Sequence, residues 1–161
     1  FLVLGTAYSA PPARFKTTPF VDSLSNGLYI TPGAAAYAAV AGTQPPALAV
    51  GGGWLWAMGM HTFSAIPDIE PDRETGIRTT ATVLGEGRTY LYCGVCWLAS
   101  AAAFGALDVR LGALMLVYPA LVVAIATASV AVDRAYWWFP AINTVVGAAL
   151  TMGGLWRLLY G

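Results

Sequence analysis

The chain has 161 residues, 58% of them hydrophobic and only 10% charged, a composition that argues against a water-soluble globule. Eight Lys and Arg balance eight Asp and Glu, so no basic excess exists to neutralise a phosphate backbone, and nucleic acid is excluded as a partner.

The opening Phe1-Leu2-Val3-Leu4-Gly5-Thr6-Ala7 is apolar but too short to cross a bilayer, and it has neither the basic region nor the cleavage pattern of a signal peptide. It reads as the end of a truncated span, with the numbering starting inside a larger membrane protein. Residues 8–22 follow as a polar segment in which Pro11, Pro12 and Pro19 stop a helix and predict an extended stretch. On such a stretch Arg14 and Lys16, two apart, point the same way. They read either as a joint grip on one anion or as an ordinary positively charged loop.

Residues 23–67 contain no Asp, Glu, Lys or Arg. A hydrocarbon core of ~30 Å needs ~20 apolar helical residues, and five such spans are predicted, at 24–41, 46–66, 89–107, 111–132 and 135–156. The joints are Gly42-Thr43-Gln44-Pro45-Pro46, the polar run 67–78, Asp108-Val109-Arg110 and Asp133-Arg134. Within the spans, Cys93 and Cys96 fit neither a disulfide framework nor a zinc site and read as small packing residues. Trp54, Trp56, Met58 and Met60 read as packing or lipid contacts, and Tyr136, Trp137 and Trp138 as an interfacial belt. Pro119 and Pro140 read as kinks. Asn26 and Asn143 read as interhelical hydrogen-bonding groups. Threading the spans alternately places Arg14, Lys16, Arg73, Arg78, Arg88 and Arg134 on one side and Arg110 and Arg157 on the other, which makes the first side cytoplasmic.

The second polar run, Pro67-Asp68-Ile69-Glu70-Pro71-Asp72-Arg73-Glu74-Thr75-Gly76-Ile77-Arg78, holds six of the sixteen charges in twelve residues. If Pro67 or Pro71 opens a helical turn, Asp68 and Asp72 share one face with Cβ atoms ~6 Å apart. Two carboxylates that close call for a cation between them, and oxygen donors of this kind suit Mg²⁺ shared with a diphosphate. Arg73 and Arg78 then complete a clamp on the phosphate oxygens. Glu70 and Glu74 fall on the other side, solvated or paired to neighbouring Arg. Gly76 permits a positive φ at the exit. A solvated acidic loop is the competing reading.

The runs Tyr8-Ser9-Ala10-Pro11-Pro12-x-Arg14-x-Lys16 and Asp68-x-x-x-Asp72-x-x-x-Gly76, followed by Arg78-Thr79-Thr80-Ala81-Thr82, resemble the C-terminal half of a UbiA-type intramembrane prenyltransferase. Within that superfamily, Pro19-Phe20-Val21-Asp22-Ser23-x-x-Asn26-Gly27 and the run from His61 to Arg73 are most similar to the lycopene elongase branch. The resemblance implies an all-α polytopic membrane bundle of nine helices, of which residues 1–161 form one N-terminally truncated domain: the end of the fourth helix and the fifth to ninth. It also implies a first aspartate-rich motif in an N-terminal half that these residues do not include.

The chemistry implied is ionisation of an allylic diphosphate, dimethylallyl diphosphate in the elongase branch, with Mg²⁺ on Asp68 and Asp72 and with Arg14, Lys16, Arg73 and Arg78 on the diphosphate. A lipophilic acceptor, an end of lycopene, captures the allyl cation after reaching the site from the bilayer. Tyr8 would bond a phosphate oxygen or face the cation. His61, the only histidine, lies five residues before the end of a span; it and Asn26 line the substrate pocket, or His61 is a satisfied structural residue. The same class acting on a quinone precursor, tetrapyrrole or glycerolipid is the nearest variant. A phosphatidyltransferase lacks its signature here, and a transporter or structural subunit would carry ionisable groups at mid-span. The setting is an integral protein of a bacterial or archaeal plasma membrane, with both polar loops cytoplasmic.

Overall fold

The uncharged run does not fold as two plain spans. In the computed structural model, which describes residues 2–128 and 130–160, all regular structure among the described residues is helical. The helices are α1 (Leu2–Ser9), α2 (Val21–Ser25), α3 (Thr31–Ala41), α4 (Ala47–Ser64), α5 (Ile69–Glu74), α6 (Thr80–Leu84), α7 (Glu86–Gly105), α8 (Val109–Met115), α9 (Val117–Thr127), α10 (Val132–Tyr136) and α11 (Phe139–Tyr160), with 3-10 turns at Phe15–Thr17 and Asn26–Ile30. Phe1, and the side chains of Leu4 and Arg157, lie outside the described residues.

The span expected at 24–41 is broken by the 3-10 stretch Asn26–Ile30. The reason is local competition for carbonyls: Asn26 Nδ2 donates to Asp22 O at 2.6 Å, and Trp54 Nε1 donates to Leu24 O at 2.8 Å. The α-helix resumes only at Thr31, with Pro32 in its first turn, where a missing N–H is harmless. The segment 10–20 also departs from expectation. It is not extended: Arg14 has φ 40° and its carbonyl accepts from Thr17 N and Thr17 Oγ1, both at 3.0 Å, closing a 3-10 turn that contains Lys16. Arg14 and Lys16 therefore do not share the face of a strand.

The spine is the antiparallel pair α4 and α7, which approach closely because small residues line the crossing. Ser100 Oγ donates to Gly52 O at 2.8 Å, and Gly59 lies under the Trp97 indole, whose Nε1 donates to Trp56 O at 3.2 Å. Trp97 is fully buried against Phe63, Tyr118 and Phe139, with ring centroids 5.7 to 5.9 Å away. Both cysteines are buried free thiols, as their apolar setting predicts.

The last two spans are each interrupted four residues or fewer before a proline. Pro119 cannot donate to Met115 O and its ring crowds that carbonyl, so the helix breaks at Leu116; Pro140 does the same with Tyr136 O, and the break falls at Trp137 and Trp138. Taken through these breaks, Val109–Thr127 and Val132–Trp156, with mean hydropathies of 2.1 and 1.2, are long and apolar enough to cross a membrane. Tyr118 OH donates to Asn143 Oδ1 at 2.8 Å and ties them together, the interhelical role expected of Asn143. Large apolar side chains such as Val40, Leu91, Val123 and Val145 face outward, an arrangement suited to lipid rather than water.

Candidate active site

The run after α4 builds a helical corner. Asp68 N caps a turn on Ala65 O, and α5 follows with Asp72 N bonded to Asp68 O at 2.8 Å, so the two aspartates are one α-turn apart, as their spacing predicts. Burial of its carboxyl and, next, the neighbouring Asp68 charge push Asp72 above the usual carboxylate range. Gly76 ends the turn at φ 74°, with Gly76 N on Arg73 O and Ile77 N on Asp72 O, the paired bonds of a glycine-terminated helix. Thr79 then caps α6 reciprocally: Thr82 N donates to Thr79 Oγ1 at 3.2 Å and Thr79 N to Thr82 Oγ1 at 2.8 Å.

Arg73 joins the two short helices. Its Nη1 donates to Glu70 Oε1 at 2.6 Å and its Nη2 to Thr82 O at 3.0 Å. Glu70 is thus the acidic residue paired to a neighbouring Arg. Arg78 is exposed on the linker from α5 to α6. Arg14 and Lys16 are exposed on a separate segment that packs on α1 and α2.

What connects that segment to the carboxylate corner is a buried clamp. Asp22, 1% exposed, accepts from Thr80 N at 2.8 Å through Oδ2 and from the Thr80 hydroxyl through Oδ1, while Phe20 N donates to the same hydroxyl at 2.7 Å. Beside it, the buried Ser23 hydroxyl is joined to Thr62 at 2.8 Å and to Tyr92 at 2.9 Å. Two adjacent polar clusters thereby hold α2, one to α6 through Asp22 and one to α4 and α7 through Ser23. Sequence reasoning assigned no role to Asp22, Ser23, Thr62, Thr80 or Tyr92. The available signal was Asp22 itself, an acid standing at the very edge of a 45-residue uncharged run.

Below the corner lies a cavity of about 290 Å³ lined by Asn26, Tyr29, Trp56, His61, Ser64 and Tyr136 among others. The Tyr8 ring meets the His61 ring edge-on, with centroids 6.4 Å apart, and Tyr8 interacts with the Asn26 side chain. Tyr8, Asn26 and His61, far apart in sequence, are therefore brought together. Tyr136, expected in an interfacial belt, also lines this cavity while its ring meets Trp137 edge-on and stays 37% exposed.

Among the described residues, no three His, Cys, Asp or Glu side chains converge as a metal cage. Asp68 and Asp72 offer two carboxylates whose mutual repulsion a divalent cation would relieve, and Mg²⁺ is commonly held by one or two carboxylates, waters and substrate phosphates. The donor set fits that ion as one share of a site.

Residues 1–143 match the UbiA prenyltransferase family. The chain is 68% identical, over 98% of its length, to a lycopene elongase/hydratase of Haloferax volcanii, covering 52% of that protein. Over its whole length it is 66% identical to a lycopene elongase/hydratase of Halobacterium salinarum, covering 58%. A lycopene elongase/hydratase of Corynebacterium glutamicum is 33% identical over 91% of the chain, with 54% of that protein covered. The chain thus spans about half the length of the curated relatives it matches. No solved structure matches it.

Proposed function

We infer that this chain, which belongs to the UbiA prenyltransferase family, forms part of a membrane enzyme that transfers a dimethylallyl group from its diphosphate to an end of lycopene or a related carotenoid. The acceptor and donor follow the relatives named lycopene elongase/hydratase. The observation that carries the reading is the aspartate pair, one helical turn apart, on the corner that closes the helix bearing the His61 cavity.

Asp68 and Asp72 would hold Mg²⁺ together with the phosphate oxygens. When bound, that ion draws negative charge from the diphosphate and makes it a better leaving group. Arg14, Lys16, Arg78 and the remaining N–H groups of Arg73 add fixed positive charge where the leaving group develops its own. Asp22 and Thr80 keep the two polar segments in register. The allylic C–O bond then breaks with its electron pair on the diphosphate, and the acceptor's terminal double bond supplies the pair for the new C–C bond. Tyr8, Trp56 and Tyr136 offer ring faces to the cationic carbon. The paired words elongase and hydratase favour water as the group that ends the reaction.

The enzyme sits in a bacterial or archaeal plasma membrane with both polar loops cytoplasmic, and the first aspartate-rich motif belongs to the N-terminal half of the same protein. The test is to express the full-length protein in a lycopene-producing host and weigh the pigments. Carotenoids heavier by one or two five-carbon units, absent with Asp68→Ala, support the reading. Unchanged lycopene beside normally inserted protein removes the carotenoid acceptor and points to quinone precursors, tetrapyrroles or glycerolipids.

A further inference from the structure

The His61 cavity lies on the last turns of the helix that leads into the aspartates. From His61 the chain completes α4 and then climbs through i to i+3 bonds, Ala65 N to Thr62 O, Ile66 N to Phe63 O and Asp68 N to Ala65 O, at 3.1 to 3.3 Å. At 1.5 to 2.0 Å per residue this path puts Asp68 at most ~10 to 14 Å from His61. A diphosphate held at Asp68 and Asp72 would have its short prenyl tail within reach of the cavity, and the carbon that becomes cationic after C–C bond formation would then meet its aromatic lining.

The lining also contains what is needed to end that cation's life. Ser64 Oγ, whose proton goes to His61 O at 2.7 Å, keeps lone pairs, Asn26 keeps the amide hydrogen not given to Asp22 O, and with the hydroxyls of Tyr29 and Tyr136 these can hold a water by two or more bonds. Among the described residues lining the cavity, His61 is the one whose side chain can accept a proton at neutral pH. The nearest buried carboxylate, Asp22, has both oxygens engaged by Thr80 and is not available as a base.

We propose that His61 terminates the reaction by hydration, a step that rests on the prenyl transfer inferred above. A water held by His61, Asn26 and Ser64 gives a lone pair to the tertiary cationic carbon. As that C–O bond forms, one O–H bond breaks, its electrons stay on oxygen and its proton passes to the imidazole. The sum is acceptor, prenyl diphosphate and water giving a tertiary alcohol, diphosphate and a proton, with no oxidant or reductant. Without the base and its water, the cation loses a proton from an adjacent carbon and the product is an alkene of the same carbon number.

The experiment compares full-length protein with its His61→Gln and Ser64→Ala variants in a lycopene-producing host. Insertion is followed by membrane content, and elongated alcohol and elongated alkene are separated by mass. The ratio of alcohol to alkene is expected to fall about tenfold or more with His61→Gln and about threefold with Ser64→Ala. An unchanged ratio in His61→Gln overturns the proposal. If that variant does not accumulate, an unchanged ratio in Ser64→Ala overturns it instead. Absence of all elongated pigment from both variants, each inserted normally, also overturns it, because the two side chains would then act before the C–C bond forms. A parent protein that adds no five-carbon unit fails at the earlier step and takes this one with it, a result plainly different from a parent that elongates and a His61 variant that hydrates equally well.

Discussion

Asp22 and Thr80 stand 58 residues apart in sequence, yet one carboxylate takes both the backbone N–H and the hydroxyl of one threonine in a fully buried site. Together with the bond from Phe20 N to the same hydroxyl, this contact fastens the segment bearing Arg14 and Lys16 to the α6 end of the corner bearing Asp68 and Asp72. Both oxygens of Asp22 accept from Thr80 and no ion pair to it is found among the described residues, so these hydrogen bonds offset the cost of burying it.

Asp22→Ala is expected to destabilise the solubilised full-length protein by about 3 kcal/mol, since it leaves the buried Thr80 N–H and hydroxyl without their charged acceptor. Thr80→Val removes the hydroxyl from Asp22 and from Phe20 N and is expected to cost a similar amount. The double variant should cost clearly less than the two added, and thermal unfolding of all four proteins measures that coupling. Additive losses would show that the clamp is not a unit.

Asp72 should titrate above the ordinary carboxylate range in protein free of divalent cations, from burial first and the Asp68 charge second. The sign follows directly. With the folded value raised, ionised Asp72 disfavours the fold at neutral pH, and that penalty is relieved as pH falls through the raised value. Asp68→Asn removes the like charge, so the Asp72 midpoint should move down while staying above the ordinary value by the part due to burial. Carboxyl carbon resonances of labelled Asp72 followed against pH check both statements, and an unmoved midpoint in Asp68→Asn would separate the two carboxylates.

Much of this arrangement was legible in the sequence, because one-dimensional signals produced it. The helical class follows from long apolar runs, the aspartate turn from a four-residue spacing flanked by prolines, the positive φ of Gly76 from its place after a charged turn, and the breaks near Leu116 and Trp137 from Pro119 and Pro140. What was less legible depends on partners distant in the chain or on a single unusual φ. The break in the span at 24–41 combines the local bond of Asn26 to Asp22 O with Trp54, 30 residues on, taking Leu24 O, and no local propensity shows the second. The loop at 10–20 was expected to be extended from its prolines, whereas Arg14 at φ 40° folds it back into a 3-10 turn. Tyr136 reads as an interfacial residue beside Trp137 and Trp138, and its second position, on the lining of a cavity shared with Asn26 and His61, depends on residues far from it in the chain.

Gly112→Ala should be among the most damaging single-methyl changes in the chain. A Cβ there would lie 2.5 Å from Gly105 Cα and 3.0 Å from Ala101 O, so backbone meets backbone at the crossing of α7 and α8 and no side chain can swing aside. Overpacking of this kind costs about 1 to 3 kcal/mol and more when backbone must move. Gly105→Ala meets a gap of 3.5 Å and should be milder. Melting temperatures in detergent should rank parent, Gly105→Ala and Gly112→Ala in that order, and equal values would refute the close crossing.

Trp56 lines both the His61 cavity and an apolar cavity of about 230 Å³ bounded by Gly53, Phe104, Met115, Tyr118, Val146 and Leu150. One tryptophan therefore borders both cavities. Its backbone carbonyl, not its ring, accepts the Trp97 indole N–H, so shortening the side chain leaves that bond in place. Trp56→Ala should join the two volumes and improve the use of a ten-carbon allylic diphosphate relative to the five-carbon donor. Because each buried methylene contributes about 1 kcal/mol, the ten-carbon to five-carbon ratio of kcat/KM should rise at least about tenfold. Trp54→Ala, on the same helix but packed over Gly27 and lining neither cavity, should leave that ratio alone. Membranes containing the full-length variants, assayed with both donors and product chain length read by mass, decide the matter: a ratio unchanged in Trp56→Ala would mean that the prenyl tail does not point at this wall.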